Sequence, residues 1–322
     1  MKTETITPEA IDKQTAVRAV RRYGLLRDLV RDKWLYIMLL PGIVYFIVFK
    51  YVPMYGLTMA FMDYKPYLGF SDSPWVGLKH FERFFSEPQF WMLLRNTALL
   101  AVYNMFFFFP LPIILALMLN EVRHEKYKRF VQTMVYIPHF VSWVVVVGIF
   151  YLLFTTEGGI MNELLYKLSG EKIAFLLEPG WFRTMIITQS IWKEVGWGTI
   201  IFLAALAGVD LQLYESARMD GANRWRQLWH ITLPAIRSTI VILLILRLGN
   251  FLDTGFEHIF LMLTSTNREV GDVFDTYVYT KGLTQAQYSY SAAVGMFKSV
   301  VGLLLVMGSN WVAKKFGEEG VY

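Results

Sequence analysis

The chain has 322 residues, 55% hydrophobic, 16% aromatic and only 18% charged, with a formal net charge of +5 and a mean hydropathy of +0.39. Charged residues fall well short of the roughly 25% usual in soluble domains, which excludes an ordinary water-soluble enzyme. The absence of cysteine excludes disulfides and thiolate metal centres, and the five histidines form no H-x-x-x-H pair that would suggest zinc. The basic residues flank apolar segments instead of forming one polar face, which argues against nucleic acid as a partner. The first thirty residues are polar and lack the short apolar stretch of a cleavable signal peptide.

Residues 1–33 read as a basic, polar N-terminal arm. Six segments then approach the length of about 20 apolar residues that a membrane-spanning helix needs. They are 34–61, 96–119, 131–154, 185–207, 239–263 and 291–312. Prolines interrupt the first three: Pro41 and Pro53, then Pro110 and Pro112, then Pro138. Such prolines are tolerable where neighbouring helices re-satisfy the freed carbonyls. Lys and Arg sort the loops by side. Eighteen fall on the N-terminal arm, the second-to-third loop, the fourth-to-fifth loop and the tail, against nine on the opposite loops. This predicts that both termini and the fourth-to-fifth loop are cytoplasmic.

That loop, about 208–236, is the most structured polar stretch of the sequence. Asp210 can cap a short helix through Tyr214, Ala217 and Arg218. Gly221 can supply the positive φ that stops it. Trp225, Leu228 and Trp229 make an i, i+3, i+4 apolar stripe for a second turn of helix, and Pro234 suits the first turn of a new helix. The small residues Ser216, Ala217 and Gly221 would let another protein's backbone approach closely. An amphipathic helix lying in the lipid interface is the alternative reading of the same pattern.

The spacing Glu215-Ser216-Ala217, then Asp220-Gly221, then Ile231-x-Leu233-Pro234 resembles the cytoplasmic coupling motif of binding-protein-dependent ABC importer permeases, with Ser216 where alanine is usual. More of the chain is similar to the sugar-type members. Val76-Gly77-Leu78-Lys79-His80-Phe81 resembles their outer segment, and Arg95-Asn96-Thr97 and Tyr136-Ile137-Pro138-His139-Phe140 resemble the starts of their second and third helices. Ile191 to Gly198, Gly255-Phe256-Glu257, Asp275 to Tyr279, Gln287 to Tyr290 and the tail at 317–320 point to the LplB-like subgroup that handles complex oligosaccharides. Within it, the branch for rhamnogalacturonan-type pectin fragments fits best. The resemblance implies an all-α membrane protein with the six transmembrane helices of the type I ABC importer permease fold, spanning 34–322. It implies a second homologous permease subunit, two cytoplasmic ATP-binding subunits, an extracellular solute-binding lipoprotein and an oligosaccharide substrate. The chain lacks G-x-x-x-x-G-K-[ST], so ATP and Mg are expected in the partner ATPase and no catalysis in this subunit.

Polar groups at membrane depth are costly and are candidates for function. Lys193, Glu194, Arg247, Asn250, Asp253, Glu257 and Lys298 stand out, with Trp192 and Trp197 as rings on which a pyranose could stack. Arg247, Asn250 and Glu257 fall near one face if the fifth helix is continuous. Each charge has a structural alternative, pairing within the bundle or with the neighbouring permease. If one cation is left facing the path, an acidic saccharide is its natural partner. The rival class, an ion-coupled secondary transporter or channel without an ATPase, would also accommodate the charges, but the coupling motif and the absence of an inverted repeat oppose it.

Overall fold

The computed structural model describes residues 30–315. Most of the predicted N-terminal arm and the tail motif at 317–320 lie outside the described residues. Among the described residues the structure is helical, with two isolated β-bridges, Met62 with Trp75 and Lys65 with Gly69. The chain divides into two compact units between Thr58 and Met59. The first carries α1, Lys33–Phe46, which continues through a π-turn at Ile47–Tyr51.

The second unit holds the remaining helices. α2 (Lys79–Ser86) lies in the segment before α3 (Gln89–Tyr103). A π-turn at Asn104–Phe108 joins α3 to α4 (Pro110–Glu121). Pro110 has no N–H to donate, and a wider turn just before it absorbs the lost bond without ending the helix. α5 (Glu125–Tyr136) leads into a 3₁₀ turn at Ile137–Phe140, then α6 (Trp143–Phe154) and α7 (Ile160–Ser169). α8 (Pro179–Ala207) is followed by α9 (Leu211–Met219), α10 (Arg224–Gln227) and α11 (Arg237–Gly249). α12 (Phe256–Met262), α13 (Phe274–Tyr279) and α14 (Tyr288–Lys315) complete the order.

Among the described residues, four helices are long and apolar enough to cross a membrane: Lys33–Phe61, Gln89–Glu121, Pro179–Ala207 and Tyr288–Lys315. Two predicted spans differ from expectation. The third is not one helix: its halves meet at 103°. Pro138 draws the chain into a 3₁₀ turn, Val141 and Ser142 become extended, and the Ser142 hydroxyl caps α6 by accepting from Val145 N–H at 3.4 Å. The fifth span ends at Gly249, and a turn through 250–255 separates it from α12. Glu257 therefore sits on a different helix from Arg247, and the common face expected for Arg247, Asn250 and Glu257 does not form.

α8 is the organising helix. Along one part, Phe182, Met185 and Ile186 pack with Leu100 of α3, Val146 and Phe150 of α6, and Ile259 and Met262 of α12. Farther along, Phe202 and Leu206 pack with Ala116 of α4 and Ile236 before α11. A third core joins Phe84, Phe90 and Leu93 to Phe274, Tyr290 and Val294. Asn96 explains the polar triplet opening the second span. Its fully buried amide donates to the carbonyls of Glu269 (2.8 Å) and Asp272 (3.1 Å) and accepts from Arg183 (3.0 Å). Where α8 crosses α5, a Cβ on Gly196 would stand 2.0 Å from the Val135 carbonyl oxygen. Only glycine permits this approach, and it carries His139 to the Lys193–Glu194 pair.

Candidate functional site

The loop after α8 folds as two short helices with defined ends. Asp210 accepts from Gln212 N–H at 2.9 Å and starts α9. At its other end Ala222 N–H donates to Ala217 O (2.8 Å) and Gly221 N–H to Arg218 O (3.0 Å), with Gly221 at φ +75°. This paired-bond stop needs a left-handed residue at Gly221. Asn223 then caps α10 by accepting from Arg226 N–H at 2.9 Å. The Gln227 amide donates to Ala222 O (2.8 Å), and the Tyr214 and Thr232 hydroxyls meet at 3.0 Å, so the two short helices are tied together. α10 gives way to a π-turn at Leu228–Thr232, and Pro234 belongs to a short Leu233–Ala235 segment. The next helix begins three residues beyond Pro234, at Arg237, after a 58° bend. Pro234 therefore does not open it as the sequence suggested.

Glu215, Ser216 and Asp220 are exposed, Ala217, Ile231 and Leu233 are half-buried, and Pro234 is exposed. Among the described residues, the side chains of Glu215, Arg218 and Asp220 have no partner. Glu215 and Arg218 line an open cavity of about 730 Å³ with Asn120, Glu121, Arg123 and Arg224. Arg224 bridges to Glu121 at 3.1 Å across its rim.

A second constellation lies in the helical bundle. Lys193, only 6% exposed, donates to the His139 carbonyl, stands 3.4 Å from Glu194 and lies over the Trp143 ring. Glu194 also meets His139 Nδ1 at 2.7 Å. The His139 ring stacks on Trp197 with centroids 4.3 Å apart, and Trp143 stacks on the buried His258. Two adjacent residues of α8 thus converge on one histidine. Lys298 is held by Asp275 at 2.5 Å and by Asp253 at 3.8 Å. Arg247 is different: it donates to the neutral Asn104 amide oxygen at 2.8 Å, lies over the Phe108 ring, and stays exposed. The Asn250 side-chain amide donates back to Leu246 O at 3.3 Å, and with Asp253 and Lys298 it lines a cavity of about 540 Å³. Glu257 and Trp192 are exposed.

Sequence reasoning did not single out His139 as a partner of Glu194, Asp275 as a partner of Lys298, or Asn104 at all. Asn104 was detectable as a polar residue inside an apolar span. The other two pairings join residues too far apart in sequence for a local pattern to reveal.

A third network lies before α3. Glu87 accepts from the Tyr277 and Tyr290 hydroxyls, both at 2.8 Å, and from Arg83 at 2.8 Å. Burial pushes the Glu87 carboxyl up, but these three donors outweigh it and hold the group below the ordinary carboxylate range. Nearby, Asp63 is lowered mainly by the Lys79 ammonium, 2.7 Å away, with His80 adding to it.

Residues 108–317 match the family of binding-protein-dependent transport system inner membrane components, and the chain belongs to that family. It is accordingly a multi-pass protein of the cell membrane. It is 58% identical over 322 residues, all of both chains, to the polygalacturonan/rhamnogalacturonan transport system permease protein YteP of Bacillus subtilis. It is 60% identical over 294 residues to Protein LplB of the same organism, covering 91% of this chain and 92% of that one. A chain in the crystal structure of a bacterial alginate ABC transporter, complexed with its alginate pentasaccharide-bound periplasmic protein, superposes with a TM-score of 0.83 at 42% identity. It covers 92% of this chain and 99% of that one.

Proposed function

We propose that the chain is one of two homologous permease subunits in an ATP-driven importer of acidic oligosaccharides, pectin-derived in its closest chemistry. In this reading there are six spans with cytoplasmic termini, the third bent at Pro138 and the fifth entering the membrane at the 58° bend after the loop. The loop from Glu215 to Pro234 receives one of two ATPase subunits, which hold the ATP and Mg, and a solute-binding lipoprotein delivers substrate from outside. The substrate path runs past Trp197, Glu194, Arg247 and Asn250.

The observation that carries the acidic substrate is the difference among Lys193, Arg247 and Lys298. Lys193 and Lys298 are matched by Glu194 and by Asp275 with Asp253, whereas Arg247 contacts a neutral amide and an aromatic face. An exposed guanidinium with donors to spare suits a uronate carboxylate, which it can hold bidentately. The names of the relatives agree, since polygalacturonan and alginate are both acidic chains. His139 stacked on Trp197 supplies a rigid aromatic wall beside Glu194, suited to a sugar's apolar face and hydroxyls.

Uptake into vesicles tests this directly. Transport should require ATP on the loop side and proceed without an ion gradient; flux driven by a gradient alone would reject the ATP-driven reading. Arg247→Gln should lower uptake of uronate oligomers at least tenfold while leaving neutral oligomers of equal length within about twofold, a contrast of about 1.4 kcal/mol per tenfold. Equal losses for both would remove Arg247 from charge selection.

A further inference from the structure

We propose that a groove between the end of α4 and α10 is a binding site for an anionic phospholipid, whose acyl chain enters the groove and whose phosphate faces Arg224. The groove encloses about 270 Å³ and is walled by Leu117, Met118, Trp225 and Leu228, with Glu121 and Arg224 at its rim. It is apolar at its base and charged at its mouth, the order in which a lipid presents its chain and head group.

Its depth in the membrane follows from the helix that builds it. The apolar helix Gln89–Glu121 ends at the groove's rim. Along α4, Ile114 and Met118 are exposed one turn apart, so the bilayer-facing surface of this span runs without interruption into the groove wall. Trp225 is 70% exposed and Trp229, one turn on, is 61% exposed. Neither serves the core. Tryptophans at this level are the residues that membrane interfaces favour, because the ring is apolar and its N–H is wet.

The charge at the mouth selects the head group. Arg224 shares its guanidinium with Glu121, but both side chains are more than 60% exposed, so that pair is weak and its donors remain available. Arg123 lines the adjoining cavity beside Arg224, and Arg226 follows Trp225 in the chain. Across the mouth and the adjoining cavity, Arg123, Arg218 and Arg224 outnumber Glu121 and Glu215, an excess of positive charge that favours a phosphate carrying net negative charge over a zwitterionic head group. The same rim borders the cavity that Glu215 and Arg218 line, so lipid occupancy would brace α10 against α4 and hold the loop in place. The site depends on the chain's place in a membrane and not on which oligosaccharide it carries.

The chain has no cysteine, so Met118→Cys creates a unique labelling site in the assembled importer, with accessible thiols removed from the partner subunits. A bimane on that cysteine is read in nanodiscs of phosphatidylcholine containing brominated-chain phosphatidylglycerol or brominated-chain phosphatidylcholine at equal mole fraction. Phosphatidylglycerol should quench at a several-fold lower mole fraction. Arg224→Gln with Arg226→Gln should bring the two lipids together, while Trp225→Ala should weaken quenching by both. Equal quenching by the two lipids in the unsubstituted loop would reduce the groove to bulk lipid contact and overturn the proposal. Quenching that appears only when the ATPase is stripped away would assign the groove to the ATPase instead, and would also overturn it. Neither result touches the substrate reading, because no sugar or transport enters the measurement.

Discussion

The two polar ends of the second unit are built on opposite rules. Before α3, two carboxylates are over-determined: Glu87 has three donors, and Asp63 has Lys79 and His80. In the loop after α8, the backbone is fully capped while Glu215, Arg218 and Asp220 have no side-chain partner among the described residues. The first end commits Glu87 and Asp63 to internal cohesion, and the other holds Glu215, Arg218 and Asp220 unpartnered on a rigid frame. Unsatisfied charges on a pre-formed backbone are what a docking surface presents, because the partner then orders little on binding. The contrast can be broken at three places, with effects on the chain's own stability that should fall in order.

The largest should come from Glu87→Gln. The substitution keeps the shape but removes the charge that three donors converge on, and hydrogen bonds to a charged group are worth on the order of 1.5–3 kcal/mol each. Arg83 sits 4.3 Å over the Tyr290 ring and partly holds its place without the carboxylate, so a net loss of about 2–3 kcal/mol is expected. Thermal unfolding in detergent should show it. The carboxyl is held below its ordinary value, so its contribution is present above the unfolded carboxyl's titration, near pH 4.3, and is lost as pH falls through the lowered value. Wild type and Glu87→Gln should therefore differ at neutral pH and converge in acid. A constant gap down to pH 3 would mean the network is held by packing and not by the charge.

Gly221→Val should cost less stability but silence transport. A Cβ on Gly221 would meet nothing within 4 Å, so the whole effect lies in the φ of +75°. A β-branched residue in that conformation costs roughly 1–2 kcal/mol, enough to unwind the last turn of α9 and displace Glu215 while the bundle stays inserted. Gly221→Asn, which tolerates the conformation, should retain most uptake. Loss of uptake by both variants at normal membrane levels would show that the space above Gly221, and not its φ, is what the partner reads.

The same contrast explains what the sequence made legible. The loop was readable because its signals are local: Asp210 caps two residues away, and Gly221 closes bonds within five. Spans were located from hydropathy, which is also local. Their breaks were not: Pro138 could have been a tolerated kink, and only the extended Val141–Ser142 step turns it into a 103° bend. Likewise the continuous fifth helix failed because apolar composition does not register the turn through 250–255. The charge pairings were hidden most deeply. Lys298 to Asp275 spans 23 residues, Arg247 to Asn104 spans 143, and Tyr290 to Glu87 spans 203, and no periodicity connects such positions.

Glu215→Lys should leave the chain's stability within about 0.5 kcal/mol of wild type, since exposed substitutions away from any partner usually do. Its effect should appear only when the ATPase is present. Glu215 sits on a helix held at both ends, so reversal of its charge cannot be relieved by local refolding. It lines the same cavity as Arg123, Arg218 and Arg224, and a lysine there would leave Glu121 as that cavity's remaining carboxylate. If the docking partner offers a cation or a backbone N–H to Glu215, the variant sets like charges face to face at an interface, which can cost several kcal/mol. Co-purification after detergent extraction reads this: the ATPase should be recovered with wild type and lost with Glu215→Lys, while Glu215→Gln, which keeps the acceptor oxygen, should retain a substantial share. Restoring recovery with raised salt would identify the loss as charge repulsion. Full ATPase recovery and unchanged uptake with Glu215→Lys would mean that the free charges of the loop are merely solvated, and that docking rests on the small residues Ser216, Ala217 and Gly221 alone.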